Sequence, residues 1–224
     1  MKKQSVSAER QDRRMRIISP SFQFFEPVHG EAILKRLERA GRVCYKSERN
    51  ITEDSAGNFI RNLIKRGHES VLEHEKLTVS VICDRGVTHE LVRHRIASYS
   101  QESTRYCNYS GEKFGRELTF IKPCFWPEDD ARYNIWKGQM QRIEDAYLQL
   151  TDSGATPQEA RSILPNSLKT EIVVTMNMRE WRHFFRLRTA PAAHPQMREI
   201  ACLMLAGFQA EIPVLFDDID GRQD

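Results

Sequence analysis

Residues 93–105 read Arg93-His94-Arg95-Ile96-Ala97-Ser98-Tyr99-Ser100-Gln101-Glu102-Ser103-Thr104-Arg105. Arginines, a histidine, hydroxyls and Gln101 put a hydrogen-bond donor at almost every other position. Guanidinium forks and neighbouring donors are what hold phosphate and other anionic oxygens. A solvated basic loop needs the charge but not this order, which runs Arg-His-Arg, two residues, Ser, four residues, Ser, one residue, Arg.

Three other segments can carry chemistry. In Asn177 to Arg188, Trp181, Phe184 and Phe185 form an apolar stripe, and Arg188 falls four residues past Phe184, on that stripe. A guanidinium there either finds an anion or strong acceptor, or snorkels to water from the helix end. Arg179, Arg182 and Arg186 project elsewhere and read as solvated. Gly67-His68-Glu69-Ser70-Val71-Leu72-Glu73-His74 lies between a helix end and a strand, and reads either as a helix cap with a polar turn or as a ligand-facing loop. Arg161, in Ala160-Arg161-Ser162-Ile163-Leu164-Pro165, reads by itself as a surface arginine.

Helices and a few strands must position these groups. Ile33, Leu34 and Leu37 give helical spacing over Glu31–Ala40, ended by Gly41, and Phe59, Ile60, Leu63 and Ile64 give it over Thr52–Arg66, ended by Gly67. Alternation predicts strands at Leu77–Cys83 and Leu168–Met176. Asp84 can cap a helix running to Val92, and Asp129–Leu150 reads as a longer helix with Ile135, Ile143, Tyr147 and Leu150 in the core. Thr156-Pro157-Gln158-Glu159 and Asn177 with Glu180 are helix starts of the capping-box kind. A last helix follows Pro195, with Ile200, Leu203, Met204 and Phe208 as its apolar face. The expectation is an α+β fold, a single domain over 15–220 with a small, mostly antiparallel central sheet flanked by helices, after a disordered polar tail at 1–14. No Gly-x-Gly-x-x-Gly or βαβ repeat supports a Rossmann cofactor site.

The 224 residues carry 34 basic and 31 acidic side chains, a balance that argues against a protein whose main work is neutralising a nucleic-acid backbone. No apolar run approaches the roughly 20 residues of a membrane helix, so a soluble cytoplasmic protein without membrane partners is expected. The five cysteines are scattered with no Cys-x-x-Cys pair, and His89/His94 and His68/His74 lack ligand spacing, so no metal is expected.

The 93–105 run resembles the signature of the flavin-dependent thymidylate synthases, and the resemblance extends over roughly Gly67 to Arg188. It implies a methyltransferase that reductively methylates dUMP to dTMP. Its cofactor is FAD, reduced by NADPH, its carbon donor is 5,10-methylenetetrahydrofolate, and its homotetramer shares each site between subunits. For this chain the resemblance assigns FAD contacts to Ser70, Arg93, His94, Arg95, Gln101, Asn177, Met178, Arg179 and His183. It assigns dUMP contacts to Glu90, Leu91, Val92, Arg93, Gln101, Glu102, Ser103, Thr104, Arg105, Arg161 and Arg188, with Arg188 as the catalytic group. Ser100-Gln101 and Glu90 stand where many members have Asn-Glu and Gln. Gln101 still donates and accepts but cannot supply a carboxylate. Cys124, in Pro-Cys-Phe, lacks the Pro-Cys-His context of the cysteine-dependent synthases and reads as an idle thiol. The alternative function is a single-strand nucleic-acid module stacking bases on Tyr99, Tyr106, Tyr109 and Trp181.

Overall fold

Apolar alternation becomes sheet where it was expected. The computed structural model describes residues 15–221 and forms, in order, β1 (Arg16–Ile18), β2 (Ser21–Phe24), α1 (Gly30–Val43), α2 (Ser55–Lys65), β3 (Lys76–Asp84), α3 (Arg85–Leu91), β4 (Ala97–Gln101) and β5 (Thr119–Ile121). It continues with α4 (Ala131–Asp152), α5 (Pro157–Ala160), β6 (Lys169–Asn177), α6 (Met178–Arg188), α7 (Pro195–Glu211) and α8 (Pro213–Phe216). The expected tail at 1–14 lies outside the described residues. The chain groups into two compact units, one of residues 15–19, 84–86 and 102–170, the other of 20–83, 87–101 and 171–221.

The second unit holds a four-stranded sheet in the order β2-β3-β6-β4. β2 lies antiparallel to β3, with Phe24 opposite Val79, and β4 antiparallel to β6, with Ala97 opposite Met176 and Gln101 opposite Ile172. Between β3 and β6, Thr78 meets the Thr175 hydroxyl at 2.8 Å and Ser80 donates to Glu171 at 2.7 Å, pairs in opposite sequence order, as antiparallel neighbours run. Ile172, Val174 and Met176 are buried, as their alternation required, together with Val79 and Val81. Against them pack Trp181, Phe184 and Phe185 of α6 and Ile200, Met204 and Phe208 of α7. The Trp181 indole donates to Leu77 O at 3.1 Å and so ties α6 to β3. Helix α7 approaches β2 so closely that a Cβ on Gly207 would sit 2.4 Å from the Phe22 ring. Gly67, at φ +71°, ends α2 as expected: its N–H bonds Ile64 O and that of His68 bonds Leu63 O, a Schellman closure.

The first unit pairs β1 with β5 in parallel and buries Met15, Leu118, Phe120, Met140, Tyr147 and Leu168. Asp130 caps α4, accepting from Arg132 N at 2.7 Å. Its buried stripe is Tyr133, Met140, Glu144 and Tyr147. Two expected core residues are therefore corrected: Ile135, about 200° around the helix from Tyr133, is 67% exposed, and Leu150, in the last turn, is 38% exposed. In α7, Leu203 is likewise 46% exposed, because the buried stripe runs through Met197, Ile200, Ala201, Met204, Leu205 and Phe208. The Thr156–Glu159 capping box forms, but α5 ends after one turn and continues as a 3₁₀ turn, Arg161–Ile163, ahead of Pro165.

Glu144 is buried on the α4 stripe and accepts from Leu118 N at 2.7 Å and from Gln141 at 3.0 Å. Burial pushes its carboxyl above the ordinary 4.5, more than the Leu118 and Gln141 hydrogen bonds lower it. The folded state therefore holds this proton more tightly than the unfolded state, and stability falls as pH rises through the window above 4.5. Glu144→Gln keeps an acceptor for Leu118 and removes the charge. It should melt higher than the parent at pH 7, the gap closing toward pH 4 in thermal scans. A gap independent of pH would contradict this account.

Candidate active site

Helix α6 starts where it does because Asn177 Oδ1 accepts from Glu180 N at 2.8 Å. The reciprocal half of the expected capping box is replaced, since the Glu180 carboxylate lies 3.0 Å from Nδ1 of His94 instead. His94 is buried, packed edge-on against Phe184 with ring centroids 5.0 Å apart and beside His183 at 5.7 Å. Burial lowers its pKa from 6.5; Glu180 opposes that shift, and Arg188 and His183 reinforce it. The shift favours the neutral imidazole, whose other nitrogen, Nε2, faces Nε of Arg188 at 3.2 Å.

Arg188 is held on all three of its nitrogens. Nη1 donates to Glu90 Oε2 at 2.8 Å and Nη2 to the Glu90 carbonyl at 3.1 Å. The anion its position called for is thus Glu90, at the end of α3, and the snorkelling alternative is set aside. A guanidinium has five N–H groups, so one on each Nη stays uncommitted among the described residues. Tyr99 fixes the backbone under this cluster, its hydroxyl lying 2.8 Å from Leu91 O and 2.6 Å from His94 O. Burial, aided by Glu180, pushes the Tyr99 hydroxyl up to about 12, so it remains a donor.

The other sequence-selected residues divide between the units. In the second unit Arg93 and Arg95 are exposed, and among the described residues their side chains have no hydrogen-bond or ion-pair partner. Ser70 is exposed on the turn Glu69–His74, His183 is exposed, and exposed Arg179 pairs with Glu73 at 2.6 Å. Gln101 donates to Thr88 at 3.1 Å, and Val92 is exposed. Leu91 and Met178 have side chains committed to the core, leaving only their main chains for a ligand. In the first unit Glu102 accepts from Tyr109 and Lys169, each at 2.8 Å. Ser103 accepts from Arg105 N, Thr104 is buried, Arg105 reaches Gln158 at 3.3 Å, and Arg161 is exposed. Unpaired, exposed guanidinium groups on either side of His94 suit an anionic ligand.

Two expectations change. Arg182, taken as solvated, is completely buried, because the C-terminal segment covers that side of α6. It donates to Asp218 at 2.7 and 2.6 Å and also to Leu215 O, with Glu69 at 3.4 Å. Trp181 and Tyr109, two of the four proposed stacking rings, are buried in the cores and cannot receive a base. The fold also gathers a cluster that the sequence spacing did not single out: His94, Glu180 and His183 bring ligand-capable atoms within 4.8 Å of one another. Both ring nitrogens of His94 are already engaged by Glu180 and Arg188, and we assign no ion there. No sequence spacing signals Glu180 as the partner of His94, since only the fold joins positions 86 residues apart.

Residues 30–214 match the family model described as "Thymidylate synthase complementing protein". The fold and site thus define the class, and the chain belongs to that family, the flavin-dependent thymidylate synthases. It is 37% identical to the "Flavin-dependent thymidylate synthase" of Geobacter sulfurreducens over 80% of this chain and 78% of that one. It is 41% identical to the protein of the same name from Pyrococcus furiosus, over 74% and 67%. Its structure resembles that of the UMP/dUMP methylase PolB from Streptomyces cacaoi bound with 5-Br dUMP, at TM-score 0.70 and 26% identity, covering 91% of this chain and 96% of that one.

Burial pushes the Asp218 carboxyl up, but Arg182 and Arg186 outweigh it and hold the group below its ordinary 3.8. Its contribution to stability is present above pH 3.8 and is lost as pH falls through the lowered value. Asp218→Ala, which deprives the buried Arg182 of its two-point partner, should cost about 2 kcal/mol in urea unfolding at pH 7. Arg186→Ala, on the exposed side of the same network, should cost less than about 0.5 kcal/mol. Equal losses would show that the buried guanidinium is not what relies on Asp218.

Proposed function

We propose that this chain reductively methylates dUMP to dTMP in the cytoplasm, with 5,10-methylenetetrahydrofolate as carbon donor and FAD, reduced by NADPH, as the source of hydride. The observation that carries the reading is Arg188, held on three nitrogens by Glu90 and His94 with an N–H on each Nη left over, beside two guanidinium groups, Arg93 and Arg95, without partners. When bound, the flavin supplies the redox chemistry, and the chain binds, orients and stabilises charge.

In this reading Arg188 directs its uncommitted N–H groups at the imide edge of the pyrimidine. Negative charge developing on the ring is stabilised there, so C5 becomes nucleophilic without an enzyme thiol. Because Glu90 and His94 fix the guanidinium beforehand, little reorganisation is needed when that charge develops. Arg93 and Arg95, with Ser70, Arg179 and His183, would hold the cofactor. His94, Gln101, Asn177 and Met178, the last through its main chain, would complete that contact.

The nucleotide would meet Glu90, the Leu91 main chain, Val92 and Gln101, and we assign Glu102, Ser103, Thr104, Arg105 and Arg161 to it as well. One functional domain over 15–220 and a homotetramer sharing its sites between subunits belong to the same proposal. Cys124 has no part in it.

The test is the visible spectrum of gel-filtered protein after incubation with FAD, before and after dUMP. A retained flavin band that dUMP shifts is expected. A folded oligomer that keeps no flavin would sink the proposal. Arg188→Ala should keep flavin and lose roughly 10²–10³-fold in turnover, as for other removed charge-stabilising donors. Cys124→Ser should keep turnover, and its loss with flavin intact would put a thiol into the mechanism.

A further inference from the structure

We infer that Glu180 is a positioning residue, which sets the tautomer of His94 and through it the orientation of Arg188. The role in turnover rests on the reading of Arg188 given above, whereas the hydrogen-bond relay stands on the geometry alone. An ionised carboxylate only accepts, so the 3.0 Å contact from Glu180 Oε1 requires the proton on His94 Nδ1. The guanidinium Nε only donates, so the 3.2 Å contact from Arg188 requires a lone pair on His94 Nε2. A neutral imidazole with its proton on Nδ1 satisfies both. The opposite tautomer would turn two donors toward each other at Nε2 and leave two acceptors facing at Nδ1.

His94 has little freedom to escape this arrangement. Its ring is buried edge-on against Phe184. Its carbonyl accepts from Tyr99 of β4, which fixes the backbone turn that carries it. The charged and titratable groups around it are Glu180, His183 and Arg188 of α6, with Glu90 of α3 held on the far side of the guanidinium. Of these, Glu180 is the one positioned to accept a hydrogen bond from the ring.

Glu90 holds the outer nitrogens of Arg188, yet two contacts to a flexible carboxylate and its own carbonyl leave the inner nitrogen free to swing. The His94 contact closes that freedom, and Glu180 decides whether it can form. Second partners of an imidazole commonly act in this way, choosing which nitrogen donates.

The experiment uses the full-length protein labelled with ¹⁵N-histidine, with the His94 signals assigned by their loss in His94→Asn. Wild type should show the Nδ1–H tautomer at pH 7. Glu180→Ala should lose it and drop turnover roughly 10–100-fold, the range seen when an outer partner of a functional histidine is removed, with flavin retention and melting temperature little changed. Glu180→Gln, whose amide oxygen also accepts, should restore the tautomer and most of the turnover.

An Nε2–H tautomer in wild type would overturn the inference, and so would Glu180→Ala that keeps the Nδ1–H form and full turnover. If the tautomer behaves as stated in all three proteins while wild type turns over no dUMP, the relay stands and the proposed reaction falls.

Discussion

A guanidinium can leave water only where acceptors wait for it, and helix α6 takes one wholly inside and half-buries another. Arg182 is met by Asp218, Leu215 O and Glu69, while Arg188 is met by Glu90 and His94. The two side chains lie six residues apart and point to different sides of the helix. One therefore fastens the C-terminal segment to the turn that bears Ser70, and the other reaches the end of α3 and the loop before β4. Between them Trp181, Phe184 and Phe185 fill the core against the sheet, so apolar packing sets the rotation of α6 about its axis and the buried charges set its partners.

Ion pairs of this kind contribute little net stability, because desolvation offsets most of the attraction. Their effect is to exclude alternatives. A rotation of α6 that kept the aromatic stripe partly buried would still strand Arg182 or Arg188 without an acceptor, at a cost of several kcal/mol. The placement of Arg188 is consequently over-determined.

Where local rules and tertiary ones agree, the sequence reads correctly. Alternation in 172–176, the glycine that closes α2 and the Asn177 cap each express the backbone's own preferences, and tertiary contacts only reinforce them. Misreadings occur where a tertiary partner overrides the local signal. Glu180 is a good capping-box residue by spacing, yet a buried imidazole is a stronger competitor than an N-cap amide that water can also satisfy. Arg182 reads as solvated because its covering segment, ending in Asp218, comes 36 residues later. Ile135, Leu150 and Leu203 were assigned by apolar identity, whereas α4 and α7 orient by the whole stripe, which on α4 includes a buried glutamate.

The same reasoning applies to the 93–105 run, which its sequence marks as a candidate ligand segment. Its arginines fall into two kinds that composition cannot separate. Arg93 and Arg95 stay exposed with no side-chain partner, charge held in reserve for an anion from solution, while the neighbouring histidine turns inward and spends both nitrogens on the protein. Around the cluster the carboxylates of Glu90 and Glu180 are already engaged by Arg188 and His94, so the positive charges of Arg93 and Arg95 are not neutralised from within. An anionic ligand therefore meets uncompensated donors on an already braced frame. Ordering Arg93 and Arg95 on a ligand still costs of order 0.5–1.5 kcal/mol per side chain, as in any solvated basic loop, but the backbone that carries them is already fixed through the His94 carbonyl and Tyr99.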